Sequence, residues 1–161
     1  MVIMSNIQWV FGLKPESMTL EWRDRVRELF LQETDELYKD SSIINLAIPE
    51  WDGNLMLIDQ DEYPNPASLK GLLWCKPFLE DTVRVVAFVI VESLQAKGFG
   101  SIAWNIMTRK LKIDGKSHVQ LEVKSSNIKA QEFYRKRDME IISRIDMYYK
   151  DEHGYMMRGK L

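Results

Sequence analysis

The sequence predicts one α/β (α+β) domain over residues 1–161, a mixed and mostly antiparallel central sheet with helices on both faces. Three observations carry this. Short β-branched and aromatic runs recur along the chain, and segments with apolar residues at helical spacing lie between them. The run "TVRVVAFVIVE" is apolar on both faces, as a central strand covered on both sides must be. Successive middle runs argue for antiparallel pairing, and the strand–helix–strand unit around "QAKGFG" argues for a parallel crossover.

Each element has its own signal. "IQWVFGLKP" reads as a first strand, ended by Pro15. "MTLEWRDRVRELFLQETDELYKD" then places Trp22, Val26, Leu29, Phe30 and Leu37 on one helical face. "SSIINLAIPEWDG" is a shorter segment, broken by Pro49 and closed by the turn pair Asp52-Gly53. "NLMLID" is a short strand, "DQDEYPNPAS" a polar loop, and "LKGLLWCKPFLE" the next strand, with Pro77 near its end. The central strand follows, then a helix from about Gly100 that turns Ile102, Ala103, Ile106, Met107 and Leu111 inward. "HVQLEVK" alternates, with Val119, Leu121 and Val123 on one face and His118, Gln120, Glu122 and Lys124 on the other. "SSN" offers helix-capping chemistry before "IKAQEFYRKR". "MEIISRIDMYYK", the turn "DEHG" and "YMMRGKL" close the chain as a hairpin. The predicted order is β-α-α-β-β-β-α-β-α-β-β.

Composition narrows the function. A net charge of −2 leaves no electrostatic footprint for nucleic acid. The basic runs at Thr108–Lys112 and Arg135–Arg137 read as solvated helix faces. The single cysteine, Cys75, excludes an internal disulfide and a thiolate metal site, and its apolar setting "GLLWCK" reads as a buried thiol. His118 and His153 lack metal-binding spacing, so no metal is expected. The first residues lack a charged leader, and Ser5, Asn6 and Gln8 interrupt their apolar run. The expectation is a cytoplasmic protein with no membrane association, as a monomer or homodimer.

The two glycines of "QAKGFG" pose the functional question. A helix start exposes N–H groups without intrahelical partners at the positive end of the helix dipole. Glycines there let an anion approach the backbone, so the junction is either a tight turn or a phosphate cradle. A dinucleotide fingerprint fails for want of a third glycine after Gly100, and a phosphate-binding Walker loop fails for want of Gly-Lys-Ser or Gly-Lys-Thr. What remains is Q-x-x-G-x-G after a central strand and before an amphipathic helix. It resembles the acetyl-CoA pyrophosphate loop of the GNAT N-acetyltransferases.

The resemblance continues through "LEVKSSNIKAQEFYRKRDMEI", which is similar to the family's second conserved block. "YYKDEHGYMMRGKL" resembles the closing hairpin of the protein N-terminal acetyltransferases, and "LAIPEWDG" faintly resembles their loop between the first two helices. The chain departs from the pattern at Gln95-Ala96-Lys97, at Glu92 where proline is common, and at Asp138-Met139 where Gly-Phe is usual. Arg84 stands where archaeal members often have histidine, so that histidine's proton role does not carry over.

The resemblance implies a V-shaped cleft between two central strands and acetyl-CoA as co-substrate. Backbone groups of Phe88, Val89, Ile90 and Val91 would hold pantetheine. The loop of Gln95, Ala96, Lys97, Gly98, Phe99, Gly100 and Ser101 would hold the pyrophosphate, and Asn127 would reach the cofactor arm. Glu122 matches the glutamate that takes the amine's proton, and Tyr134 the tyrosine that serves the departing thiolate. Glu50, Tyr148 and Tyr149 would bind the acceptor. The implied activity is acetyl transfer to a primary amine, foremost the N-terminal α-amine of a protein or peptide. A GNAT acting on a polyamine, amino acid or antibiotic is the alternative, as is a non-catalytic CoA-binding module.

Overall fold

The computed structural model describes residues 6–12, 18–34, 51–149 and 151–161. Its strands are β1 (Ile7–Phe11), β2 (Leu55–Asp59), β3 (Leu69–Pro77), β4 (Thr82–Ile90), β5 (His118–Lys124), β6 (Met139–Tyr149) and β7 (Glu152–Lys160). Its helices are α1 (Leu20–Thr34), α2 (Phe99–Ile113) and α3 (Ile128–Arg135). The strands follow the order β1-β2-β3-β4-β5-β7-β6; β1–β2, β2–β3, β5–β7 and β6–β7 pair antiparallel, and β4–β5 in parallel. The second predicted helical segment and Leu37 lie outside the described residues. The chain forms two compact units, residues 1–76 with 86–110 and residues 77–85 with 111–161, so β4 and α2 each contribute to both.

In the first unit, β1 pairs antiparallel with β2 from Ile7↔Asp59 to Phe11↔Leu55, and β2 pairs with β3 across a bulge at Leu57/Ile58. Alternation sends Met56, Ile58, Leu72 and Trp74 to one face of these strands, with Ala87 and Val89 of β4. They form a buried cluster with Trp22, Val26, Leu29 and Phe30, the stripe read from the sequence of α1. Full burial of each such side chain stabilises by about 1.5–3 kcal/mol. Arg25 fixes the helix with two donations to the Leu69 carbonyl, at 3.1 and 2.7 Å. On the opposite face Cys75 touches Met107 of α2 at 3.3 Å, and Phe88 stacks on Trp104. Helices therefore cover both faces of this unit's strands.

α2 begins at Phe99, one residue before the predicted start. Its buried stripe is Ala103, Trp104, Met107 and Leu111, whereas Ile102 is half exposed. Ile102 was expected inward on hydrophobicity alone. Trp104, about 200° round the helix from Ile102, is buried instead and stacks on Phe88. The central strand also differs from expectation. Val83, Val85, Ala87 and Val89 are buried, but the alternate residues Arg84, Val86, Phe88 and Ile90 are only partly covered.

In the second unit, β4 and β5 pair in parallel at Thr82↔His118, Val83↔Val119 and Arg84↔Gln120. β5 then pairs antiparallel with β7 over seven positions, from His118↔Lys160 to Lys124↔Gly154. Gln120, expected on the polar face, is buried. The closing hairpin is tighter than "DEHG" implied: β7 starts at Glu152, and β6 absorbs the surplus residues in register shifts between Ile145 and Tyr149. Met147 takes left-handed backbone there, with φ 49°.

Candidate active site

Candidate residues group separately in the two units. In the first, β4 runs into a single 3-10 turn at Glu92–Leu94 and then into α2. The junction needs left-handed backbone at Ala96 (φ 59°) and Gly98 (φ 89°). That conformation costs about 1–2 kcal/mol for an L-residue and little for glycine. A Cβ on Gly98 would meet no protein atom within 4 Å, so packing does not demand this glycine. The backbone angle does, and the space in front of the backbone stays open. The ladder of α2 starts with Ile102, whose N–H donates to the Gly98 carbonyl at 3.1 Å. The N–H groups ahead of it lie outside that ladder at the positive end of the helix.

A carboxylate braces this turn. Glu33 of α1 accepts from the Glu92 N–H at 3.2 Å through Oε1, and from Gln95 Nε2 at 3.3 Å through Oε2. Gln95 Nε2 also donates to the Ile90 carbonyl at 2.8 Å, and Trp9 Nε1 donates to the Phe99 carbonyl at 2.8 Å. Gln95 thus points back into the turn, while Lys97 is exposed and Ser101 half-buried.

The backbone of β4 divides by edge. A Cβ on Gly71 would lie 2.7 Å from the Val89 carbonyl, which places that carbonyl on the β3 side. The Val91 N–H donates to the Lys70 carbonyl at 2.9 Å, and its carbonyl accepts from the Leu94 N–H at 2.9 Å. Val91 was expected among the pantetheine ligands; both of its backbone groups are engaged within the fold. Alternation puts the backbone groups of Phe88 and Ile90 on the other edge, where the Ile90 carbonyl already accepts from Gln95 Nε2.

In the second unit the functional candidates gather on a cation that the sequence reading set aside. Arg84 of β4 donates from Nε to Glu122 Oε2 at 2.8 Å, and from Nη2 to the Tyr148 hydroxyl at 2.9 Å. Glu122 is largely covered, its side chain 12% exposed against 31% for Arg84. Burial acts to lower the Arg84 pKa, but the Glu122 carboxylate and the Tyr148 phenol outweigh it and hold the pKa above the usual arginine value. Tyr148 and Tyr149 meet edge-to-face, with Lys124 Nζ 5.6 Å from the Tyr149 ring centre.

Tyr134 of α3 is buried, edge-on to Phe133 at 5.5 Å between ring centres. Asn127 caps α3, its side-chain oxygen accepting from the Ala130 N–H at 3.1 Å, so capping accounts for that oxygen. The cap is tied to the hairpin by Glu152, which accepts from the Ser126 N–H at 2.9 Å and from the Ser125 and Ser126 hydroxyls. The Ser126 bonds lower the Glu152 pKa. Glu50 lies outside the described residues.

A family model for the acetyltransferase (GNAT) family matches residues 18–139. The chain belongs to the GNAT acetyltransferases. Solved GNAT structures share its fold over nearly its whole length. Ard1 from Thermoplasma volcanium superposes with a TM-score of 0.81 at 20% identity, covering 97% of this chain and 98% of that one. The NatC complex bound to Gag peptide and CoA gives 0.79 at 15%, covering 97% and 99%. Arabidopsis thaliana Naa50 with the bisubstrate analogue CoA-Ac-MVNAL gives 0.76 at 16%, covering 97% and 99%. No curated protein sequence gives a significant match.

For a GNAT acetyltransferase the β4–α2 junction fits a diphosphate: left-handed glycine, open space before it, a helix N-terminus and the exposed Lys97. Sequence reasoning missed the Glu33 brace and the hydrogen bonds of Arg84. Glu33 left no signal, because its partners lie 59 and 62 residues away. Arg84 did leave one: a lone cation within an apolar strand, beside a strand carrying Glu122 on its polar face.

Proposed function

We propose that this GNAT transfers the acetyl group of acetyl-CoA to the N-terminal α-amine of a protein or peptide. The observation that carries the reading is the Arg84–Glu122–Tyr148 cluster, which ties the closing hairpin's tyrosine to the carboxylate suited to serve the amine. The fold likeness to Ard1, NatC and Naa50 supports it. Bound acetyl-CoA supplies the thioester carbonyl that the amine attacks.

The protein's own groups have distinct tasks in this reading. Gly98, Phe99, Gly100 and Ser101 present the first turn of α2 to the diphosphate, with Lys97 adding charge. The Phe88–Ile90 edge holds the pantetheine arm. Glu122 keeps Oε1 without a protein partner among the described residues, and that oxygen accepts the proton of the ammonium, directly or through water. An α-amine, with a pKa of about 8, yields its proton far more readily than a lysine at about 10.4. Tyr134 holds a phenolic proton for the sulfur that departs, and Tyr148 and Tyr149 line the approach of the acceptor.

The test is acetyl-CoA turnover over peptides with a free α-amine, peptides with a blocked N-terminus and a lysine, polyamines and free amino acids. Mass spectrometry then locates the acetyl group. Acetylation concentrated on α-amines is the expected result. Acetyl groups mainly on lysine, or only on small amines, would move the assignment to a small-amine or lysine GNAT.

A further inference from the structure

We propose that Arg84 reads a carboxylate on the acceptor, so that the favoured acceptor is a primary amine with an acid group close by. This rests on the acetyltransferase reading and names the substrate class of the same cluster. Arg84 has five N–H donors, and two are taken, one by Glu122 Oε2 and one by the Tyr148 hydroxyl. No described residue takes the other three, and the side chain is 31% exposed. Glu122 likewise has Oε1 uncommitted among the described residues. The cluster therefore offers an acceptor and a fork of donors side by side.

Charge decides what fits. Arg84 and Glu122 neutralise one another, so the pair as it stands carries no net charge. A simple ammonium arriving at Oε1 comes close to the guanidinium, and the two cations repel. An acceptor that also carries a carboxylate removes this conflict, its amine meeting Glu122 and its acid meeting the uncommitted donors of Arg84. Arginine is suited to the second contact because its planar fork matches a carboxylate in two-point geometry. The other basic side chains nearby are otherwise occupied: Lys124 lies over the Tyr149 ring, Arg144 pairs with Asp146, and Arg158 donates to Thr82. Two sources share the chemistry, an N-terminus with Asp or Glu in its first two residues and a free acidic amino acid.

The experiment compares kcat/KM for hexapeptides that differ only by Glu, Gln or Lys at the first two positions, with free glutamate as a further acceptor. Wild type should favour the Glu peptide over the Gln peptide by about 5- to 30-fold, the equivalent of about 1–2 kcal/mol, as for a charge-assisted hydrogen bond in a partly exposed setting. Arg84→Gln should bring that ratio close to one, Arg84→Lys should keep part of it, and Tyr148→Phe should preserve it. The ratio is internal to each variant, so a general loss of stability does not move it, and should Arg84→Gln fail to fold, wild type and Arg84→Lys still decide. Absence of the preference in wild type, its survival in Arg84→Gln, or a variant that only raises KM for acetyl-CoA overturns the inference. α-Amine acetylation without acid preference overturns this inference alone. Free glutamate preferred above every peptide keeps it and overturns the peptide reading, and no transfer to any α-amine overturns both.

Discussion

Tyr134 packs its ring edge-on against Phe133 and is buried, so the ring and the hydroxyl make separable contributions. Tyr134→Phe keeps the packing and deletes only the hydroxyl. General acid–base groups contribute about 10²- to 10⁴-fold, and the variant should lose kcat within that span while CoA affinity stays near wild type. Stopped-flow or steady-state turnover checks it; full kcat with chemistry shown to be rate-limiting would leave Tyr134 as core packing alone. Glu122→Gln belongs to the same test. Its rate should fall near neutrality and recover at high pH, where solvent already deprotonates the amine. A pH–rate profile parallel to wild type throughout would remove Glu122 from the proton's path. Strand alternation and helix capping placed both residues on their elements, and the resemblance to the acetyltransferases singled them out. Arg84 was visible as a cation in an apolar strand, but its hydrogen bonds to Glu122 and Tyr148 join three strands, and periodicity within one strand carries no information about them.

At the scale of elements, the strand–turn–helix of β4 and α2 depends on α1. Glu33 holds the Glu92 N–H and the Gln95 amide together, and Gln95 in turn holds the Ile90 carbonyl. Each such bond to a charged group is worth about 1.5–3 kcal/mol where buried and less where exposed, and this brace is partly exposed. Glu33→Ala should loosen the turn, weaken CoA binding by about 5- to 30-fold and leave kcat at saturating acetyl-CoA nearly unchanged. Titration calorimetry with saturation kinetics reads both numbers; unchanged affinity would show that the turn holds its shape without Glu33. The turn's glycine was legible from the motif, and the stripes of α1 from spacing. The inward face of α2 was only partly so. Ile102 looked like core by hydrophobicity, yet it is half exposed, while Trp104 on nearly the opposite side of the helix packs on Phe88, a partner that a helical wheel does not show.

At the scale of the molecule, the strand order needed both local and distant information. The hairpins and the parallel crossover could be read from the sequence, since turn lengths and apolar runs dictate them. The place of β7 between β5 and β6 could not, because a seven-position ladder between β5 and β7 rests on matching registers, not on any local signal. The turn before α2 is proposed to bind the diphosphate of CoA through its backbone. Isothermal titration of CoA into wild type and Gly98→Ala tests it most directly. An added Cβ meets no protein atom, so the variant should fold, with a strain of about 1–2 kcal/mol at its left-handed backbone. Wild type should bind CoA with one-to-one stoichiometry and gain about 2.7 kcal/mol of stability at a hundredfold excess over Kd. Gly98→Ala should bind at least tenfold more weakly. Wild type that shows no heat of CoA binding, or a folded Gly98→Ala that binds as tightly as wild type, would contradict the claim.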